Sequence, residues 1–451
     1  MSAWLLEHAW LGDGAHATPL VRVEVEGGRF TRVEPGGSAD GATHLPGLTI
    51  PGLANIYSHV FHRALRARTD DDSAGGGSFW TWRTRMYDVA QRLTPERLHA
   101  LARATYREMV AAGITAVGEF HYVHHRPDGS PYATDGVPDH AMEQAVVAAA
   151  AEAGIALTLL DTCYLTGGVG EPLTPEQVRF GDGDADGWRR RVEDLATRLP
   201  AEVVLGAAIH SVRAVPPAAL PVVADWAAEH AAPLHVHLSE QPAENAAALA
   251  AWGRTPTALL AEAGALGPRT TVVHATHLTP DDISTLGAAG CALSLCPTTE
   301  RDLADGIGPA RALVDAGVRL TLGSDAHAVI DLFEEARATE MHERLRSGRR
   351  GHWTPAALLA ALTADGHAAL GRDAGRIAVG QPADLVTVSL HTPRTAGAAP
   401  GAAAVVHAAT AADVTFVLTR GEVRVPHGGA AGVAAEVGAE LAGAIEQLGV
   451  R

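Results

Sequence analysis

Five short apolar runs in this chain end in side chains that can bind a cation or move a proton. They are Tyr57-Ser58-His59, His210, His237 with Glu240, His274, and Ser324-Asp325. Each run reads as a buried strand and each is followed by a helical stretch. The polar ends therefore gather at one mouth of a parallel barrel, the C-terminal one, where such barrels do their chemistry. Successive side chains on a strand point to opposite faces, so Tyr57 and His59 share a face. So do His235 and His237, with Glu240 just past the strand end. Neutral imidazoles and a carboxylate around an open position suit a catalytic zinc or a similar divalent ion. Such an ion lowers the pKa of bound water to about 7. In that setting Asp325 can hold the ion and take a proton from water, and Glu240 can deliver a proton to a leaving nitrogen. Each residue alone has an ordinary structural reading. A strand-end histidine is commonly only hydrogen-bonded, and an aspartate before a helix is commonly an N-cap. Their joint occurrence, in order, carries the chemistry. His124, His125, His230 and His407 match no position in the set and read as surface residues.

The elements that must position these residues follow from hydrophobic pattern. Residues 1 to 47 alternate apolar and polar, with turn signals at Gly12-Asp13-Gly14, Gly27-Gly28 and Pro35-Gly36-Gly37, which predicts an antiparallel β segment. Strands are then expected at Leu48–Ile56, Ile114–Phe120, Ile155–Leu160, Val203–Ile209, Leu234–Leu238, Thr270–Val273, Ala292–Leu295 and Leu320–Gly323. Helical patterns such as Pro95–Ala112, Pro216–His230 and Asp331–Arg346 separate them. Eight apolar strands alternating with helices predict an α/β fold, a closed (β/α)8 barrel of the TIM type. The Gly/Asp-rich stretch Thr69–Ser78 is a candidate lid. From about Gly375 the pattern returns to β, at Arg376–Gly380, Ala383–Val388, Val414–Leu418 and Val423–Val425, before a helix over Gly432–Leu448. Thr395–Ala404 reads as a low-complexity surface loop. The expected organisation is a barrel over residues 48–373 and a small β-sandwich composed of residues 1–47 and 374–451.

The 451 residues suffice for both units, and the net charge of −17 argues against nucleic acid or an anionic membrane as partner. Cys163, Cys291 and Cys296 lie in or beside strand-like runs, odd in number and without zinc-type spacing, which points to a reduced cytoplasmic protein. Met1 to Gly12 has no basic region and does not read as a signal peptide. The apolar stretch Ala145–Leu160 is broken by Glu152 and Gly154 and reads as a helix and then a strand, not a membrane span.

With these motifs the chain resembles the amidohydrolase superfamily and, within it, the formimidoylglutamate deiminases. The resemblance rests on Pro51-Gly52-Leu53-Ala54-Asn55 leading into Ser58-His59-Val60-Phe61-His62-Arg63, on Phe79-Trp80-Thr81-Trp82-Arg83, and on Gly118-Glu119-Phe120-His121-Tyr122. It continues in His210-Ser211-Val212-Arg213, His235-Val236-His237-Leu238-Ser239-Glu240-Gln241, His274-Ala275-Thr276-His277, Cys296-Pro297-Thr298-Thr299-Glu300 and Gly323-Ser324-Asp325-Ala326-His327. Gly380-Gln381-Pro382-Ala383-Asp384-Leu385 is common to the wider superfamily. The resemblance implies hydrolysis of the formimino C=N group of N-formimino-L-glutamate to N-formyl-L-glutamate and ammonia, a step of histidine degradation. It implies one divalent ion, zinc first, with His59, His237 and Asp325 as ligands and with Glu240, His274 and Asp325 as catalytic groups. It also implies that His62, Arg83, Tyr122, His210 and Arg213 bind a small dicarboxylate amidine. A formamidinium is cationic near neutral pH, so Glu240 can hold it, and arginine forks suit carboxylates. The plainer reading of Arg83 and Arg213 is a surface ion pair. Dimers are common in the superfamily, so a homodimer is open.

The sequence departs from the family at two positions. Tyr57 stands where the family has the first histidine of His-x-His, and His62 stands where glutamine is frequent. A phenol is not a usual zinc ligand. It either ligates as phenolate beside the ion or hydrogen-bonds a water or Asp325, and Tyr57 is carried in the expected metal set on the first ground. Three readings follow: an active deiminase with a rearranged metal site, including recruitment of His274 as a ligand; a related amidine or amide hydrolase or deaminase with another carboxylate-bearing substrate; or an inactive, metal-impaired relative that still binds small anions. The otherwise complete set favours the first.

Overall fold

The computed structural model describes residues 2–69 and 79–450, apart from the side chain of Trp80. The lid expected at Thr69–Ser78 therefore lies, from residue 70 onward, outside the described residues. Eight parallel strands run round a barrel in sequence order: Leu53–Ser58, Ile114–His121, Ala156–Cys163, Val204–Ile209, Leu234–Leu238, Thr270–His274, Ala292–Leu295 and Arg319–Leu322. They are buried on both faces, which is why they read as near-continuous apolar runs; all of Ile114–His121 is buried. Main-chain bonds close the seam between the last strand and the first. Ser58 and Asp325 form a parallel bridge. The Asp325 amide donates to the Tyr57 carbonyl at 2.9 Å and the His59 amide donates to the Asp325 carbonyl at 3.3 Å. Gly323 permits this approach, because a Cβ there would lie 2.7 Å from Tyr57 Cβ and 2.9 Å from the Tyr57 backbone nitrogen and oxygen.

Helices pack outside the strands, with local signals setting their ends. Thr94 caps Pro95–Ala111 by accepting from the Arg97 amide at 3.3 Å, with Pro95 at the first position. Asp331 caps Leu332–Ser347 through the amides of Phe333 and Glu334, and Gly348 ends that helix at φ +68°. The helix expected over Pro216–His230 is shorter, Leu220–Glu229, because Pro216 and Pro217 hold a turn ahead of it. Among the described residues no helix is long and apolar enough to cross a membrane.

The stretch expected as one strand, Leu48–Ile56, is two. Thr43–Pro51 belongs to the terminal sheet and Leu53–Ser58 to the barrel. Gly52 marks the break, where a Cβ would lie 2.2 Å from Thr115 Oγ1. The terminal sheet orders its seven strands as Glu422–Val425, Val414–Thr419, Leu385–Val388, Thr43–Pro51, Ser2–Ala9, Thr18–Glu26 and Arg29–Pro35. Both termini thus build it, but not wholly antiparallel, since Ser2–Ala9 runs parallel to Thr43–Pro51. The sheet curls on itself. Trp4 and Phe416, three strands apart, bring their ring centroids to 6.5 Å, over a core that includes Val23, Phe30 and Leu385. Arg376–Gly380 forms no strand; Ile377 bonds the Leu11 carbonyl and Gly380 turns the chain at φ +87°. The loop expected at Thr395–Ala404 enters a helix, Ala402–His407, which buries Val405 and Val406.

Candidate active site

Tyr57, His59, His237, His274 and Asp325 converge, buried, at the C-terminal mouth of the barrel. The His59 Nδ1–H donates to the Phe120 carbonyl at 2.9 Å and the His237 Nδ1–H donates to the His210 carbonyl at 2.5 Å. A carbonyl only accepts, so each ring carries its proton on Nδ1 and presents a bare Nε2. Both Nε2 atoms face the Tyr57 hydroxyl, at 3.0 Å from His59 and 2.5 Å from His237. The hydroxyl's hydrogen bonds go to these rings, not to the Asp325 carboxylate that the sequence also allowed. Asp325 Oδ1 lies 3.6 Å from His59 Nε2, and Oδ2 lies 3.7 Å from His274 Nε2. Burial holds His59 down at about 3 and His237 well below its ordinary value, so both rings are neutral. Burial pushes the Tyr57 phenol well above its usual value. It also raises the Asp325 carboxyl to about 7, with His274 pulling the other way. The buried His274 Nε2 has no hydrogen-bond partner among the described residues. Donor atoms of His59, His62 and Asp325, and of His274, Cys296 and Asp325, lie within 4.8 Å of one another. Bare imidazole nitrogens converging with a carboxylate fit a divalent cation.

His274 is set up as a cation. Its Nδ1 faces Glu300 Oε1 at 3.3 Å, and its Nε2 lies 3.7 Å from Glu240 Oε1. Burial alone would lower it, but Glu240, Glu300 and Asp325 outweigh burial and hold the imidazolium up to about 10. Glu300 is fixed in turn by the Cys296 amide at 2.9 Å. Glu300 had no assigned role in the sequence reading; its presence in the Cys296–Glu300 motif was the only signal. The chain turns sharply as it leaves these strands. Ser239, His274 and Asp325 are left-handed at φ 49°, 66° and 43°, a conformation that costs a side-chain-bearing residue about 1–2 kcal/mol. Strain of this kind collects at functional sites. The first strand's exit is held by Glu119, which accepts from Ser58 Oγ and the Val60 amide, each at 2.7 Å.

A small cavity opens from this centre, and all five expected substrate residues, His62, Arg83, Tyr122, His210 and Arg213, line it. His62 Nε2 meets the Tyr122 hydroxyl at 2.9 Å. Arg83, on the helix Phe79–Gln91, donates to the Tyr87 hydroxyl at 2.6 Å and the Tyr164 hydroxyl at 3.4 Å. Arg213 is an inward-facing group, not a surface ion pair. Its Nη2 reaches Glu240 Oε2 only at 3.5 Å, and its Nε, buried, has no hydrogen-bond partner among the described residues. Trp82 and Met86 also line the cavity, and Gln177 steadies the Tyr87 and Tyr164 hydroxyls at 2.8 and 2.9 Å. The sequence gives none of these five a role; only Trp82 sits in one of its motifs. A larger cleft lies between the barrel's other end and the terminal sheet. Two of its three arginines are tied to carbonyls, Arg29 to Gly380 and Arg372 to Leu157.

His124 and His125 are buried, contrary to the sequence expectation, while His230 and His407 are exposed. The cause is a buried charge network outside the barrel. His124 donates to Glu143 Oε1 at 2.7 Å and to the Thr162 carbonyl at 3.0 Å, and His125 meets Asp182 at 2.9 Å. Arg191 forks onto Asp161 with two 2.8 Å bonds and reaches Asp182 at 2.7 Å. Burial opposes a charge on His124, but its pKa is raised by Glu143 and Asp161. With both nitrogens donating, His124 offers no lone pair to a metal, although it, His121 and Glu143 lie close together.

The amidohydrolase family model matches residues 48–424. The chain is 38% identical over 411 residues to a formimidoylglutamate deiminase from Pseudomonas aeruginosa, covering 88% of each sequence. Its fold matches the crystal structure of an amidohydrolase from Brucella melitensis with a TM-score of 0.86 and 30% identity, covering 99% of this chain and 100% of that one. It also matches an adenosine deaminase from Xanthomonas campestris with bound zinc, at TM-score 0.82 and 22% identity over 98% of each chain.

Proposed function

Because this chain belongs to the amidohydrolase family and is a hydrolase acting on C–N bonds, we propose that it hydrolyses the formimino C=N group of N-formimino-L-glutamate to N-formyl-L-glutamate and ammonia. The observation that carries this reading is Arg213, a half-buried guanidinium on the wall of the same cavity that holds Glu240, whose buried Nε makes no hydrogen bond among the described residues and meets Glu244 only at 3.6 Å. Such a donor awaits an anion, and Arg83 offers a second positive charge in the cavity. The deiminase relative at 38% identity supports the substrate.

His59, His237 and Asp325 would hold the divalent ion, zinc by the chemistry of its donors. Bound there, it would supply Lewis acidity and acidify water. The protein's own groups do the rest. Glu240 accepts the formamidinium N–H and passes a proton to the departing nitrogen. Asp325, raised to about 7, takes the proton of the attacking water. His274, a cation at neutral pH, stabilises negative charge developing on the entering oxygen. Water adds to the carbon, the C=N nitrogen leaves as ammonia, and the carbon becomes a formyl group. The three cysteines are buried and unpaired, which supports a cytoplasmic setting. A second reading, a deaminase of another carboxylate-bearing amidine, draws support from the aromatic wall of Phe79 and Trp82, which suits a planar heterocycle.

The test is ammonia release by the zinc-loaded protein from N-formimino-L-glutamate beside a panel of planar amidines. Turnover of the former is expected, and it should vanish in Glu240→Gln and in Asp325→Asn with the fold intact. No ammonia from folded, zinc-loaded protein, or full activity in either variant, would overturn the reading.

A further inference from the structure

We propose that the Tyr57 phenolic oxygen is a protein ligand of the metal ion in this site, alongside two imidazole nitrogens and a carboxylate. The proposal rests on the reading that the pocket holds a divalent ion, and it gives a phenol the place that the family's pattern gives to a histidine.

The argument is a count of protons and lone pairs. The Nδ1 protons of His59 and His237 are spent on the carbonyls of Phe120 and His210. Each Nε2 is therefore an acceptor, and both point at one hydroxyl, at 3.0 and 2.5 Å. A hydroxyl has one proton and can satisfy one of them. The other contact sets a nitrogen lone pair against an oxygen lone pair. Asp325 Oδ1, 3.6 Å from His59 Nε2, brings a further acceptor to the same place. Acceptors that outnumber their protons in a buried space mark a site for positive charge.

The hydroxyl cannot swing away from that charge. The Tyr57 carbonyl is bonded across the seam by the Asp325 amide at 2.9 Å. Its ring is met edge-on by His59, Phe120, His237 and His274, with centroids 5.0, 5.2, 5.5 and 6.3 Å away. An ion held by both Nε2 atoms must therefore meet this oxygen. Donors on one ion with bonds of about 2.0–2.1 Å stand roughly 3.3–3.4 Å apart in a tetrahedral site. Opening the observed O···N contacts to that spacing takes less than about 1 Å.

On binding, the O–H bond breaks heterolytically, the proton leaves to solvent, and the oxygen pair is shared with the ion; nothing is oxidised or reduced. Phenolate and carboxylate together neutralise a divalent ion, whereas an imidazole at position 57 would leave the centre one unit positive. Exchanging a nitrogen for a hard oxygen donor moves the site's preference toward harder ions than a histidine-rich site selects.

The experiment is a copper(II) titration of the full, chelator-stripped chain. It reads the phenolate-to-copper charge-transfer absorption in the visible, with bound copper counted independently. Wild type should develop the band and saturate at one ion per chain. Tyr57→Phe should bind copper without the band. Tyr57→His should also lack it, and should bind zinc about 10-fold or more tightly than wild type. Wild type holding one copper without the band, or Tyr57→Phe keeping it, overturns the tyrosine assignment and leaves the metal site standing. If neither copper nor zinc binds stoichiometrically, the tyrosine assignment and the metal-dependent reading fall together.

Discussion

Replacing Arg213 with methionine removes a guanidinium while keeping an unbranched stem. The arginine's contacts to protein are weak, a 3.5 Å bond to Glu240 and a 3.6 Å approach to Glu244, so the fold should lose little. Burial raises the Glu244 carboxyl to about 7, with Arg213 opposing. Without the guanidinium Glu244 rises further, and Glu240 keeps His274 at 3.7 Å, so neither carboxylate is left as an unpaired buried charge. What is lost is the uncommitted donor. A hydrogen bond to a charged group contributes about 1.5–3 kcal/mol, and at about 1.4 kcal/mol per factor of ten this predicts a roughly 10- to 150-fold fall in kcat/KM. A substrate carboxylate remote from the reacting carbon binds alike in ground and transition states, so the loss should fall on KM with kcat nearly unchanged. Steady-state ammonia release from N-formimino-L-glutamate measures this. Formamidine, the reacting fragment without carboxylates, is the control and should be turned over equally by both proteins. An unchanged KM, or an equal loss on formamidine, would refute the anion-binding role.

Arg191→Leu should strand Asp161, Asp182 and Glu143, and removing one partner of a buried ion pair costs about 3–5 kcal/mol, seen as a lower urea midpoint at pH 7. Burial would raise Asp182 and Glu143, but Arg191 and the histidines hold both below the ordinary carboxylate range. Wild type therefore keeps their stabilisation above about pH 4 and loses it on further acidification, while the variant's stranded carboxyls simply take up protons. The gap between the two must narrow as pH falls; a gap that widens would contradict the network. Gly323→Ala drives a methyl group into the Tyr57 backbone. It should cost about 1–3 kcal/mol of stability and weaken zinc retention, and an unaltered zinc dissociation constant would show that the seam does not position Tyr57.

The barrel was legible because strands buried on both faces write themselves as apolar runs. The site was legible because its residues end those runs in order. Other features lay beyond sequence. His124 is buried because Glu143, 19 residues on, lies beside it in space, and no pattern along the chain announces that pairing. The break inside one apolar run falls at Gly52, where Thr115 on the next strand leaves no room for a side chain. Arg376–Gly380 alternates like a strand yet finds no partner strand among the described residues. Glu300 and Gln177 act through other side chains, on His274 and on the tyrosines around Arg83, and a residue that works at one remove leaves no spacing to read.

The barrel's seam joins Tyr57, His59 and Asp325 through peptide groups, independent of what those residues carry beyond the Cα. The spacing of the first and eighth strands is thus indifferent to the donor atom presented at position 57. A phenol sits at position 57 while His59, His237 and Asp325 keep their convergence. Position 57 behaves as a tuning peg: turning it alters the electronic surroundings of whatever the mouth holds and leaves the instrument's shape alone. A lineage, or an experimenter, can therefore explore new reactivity there one residue at a time.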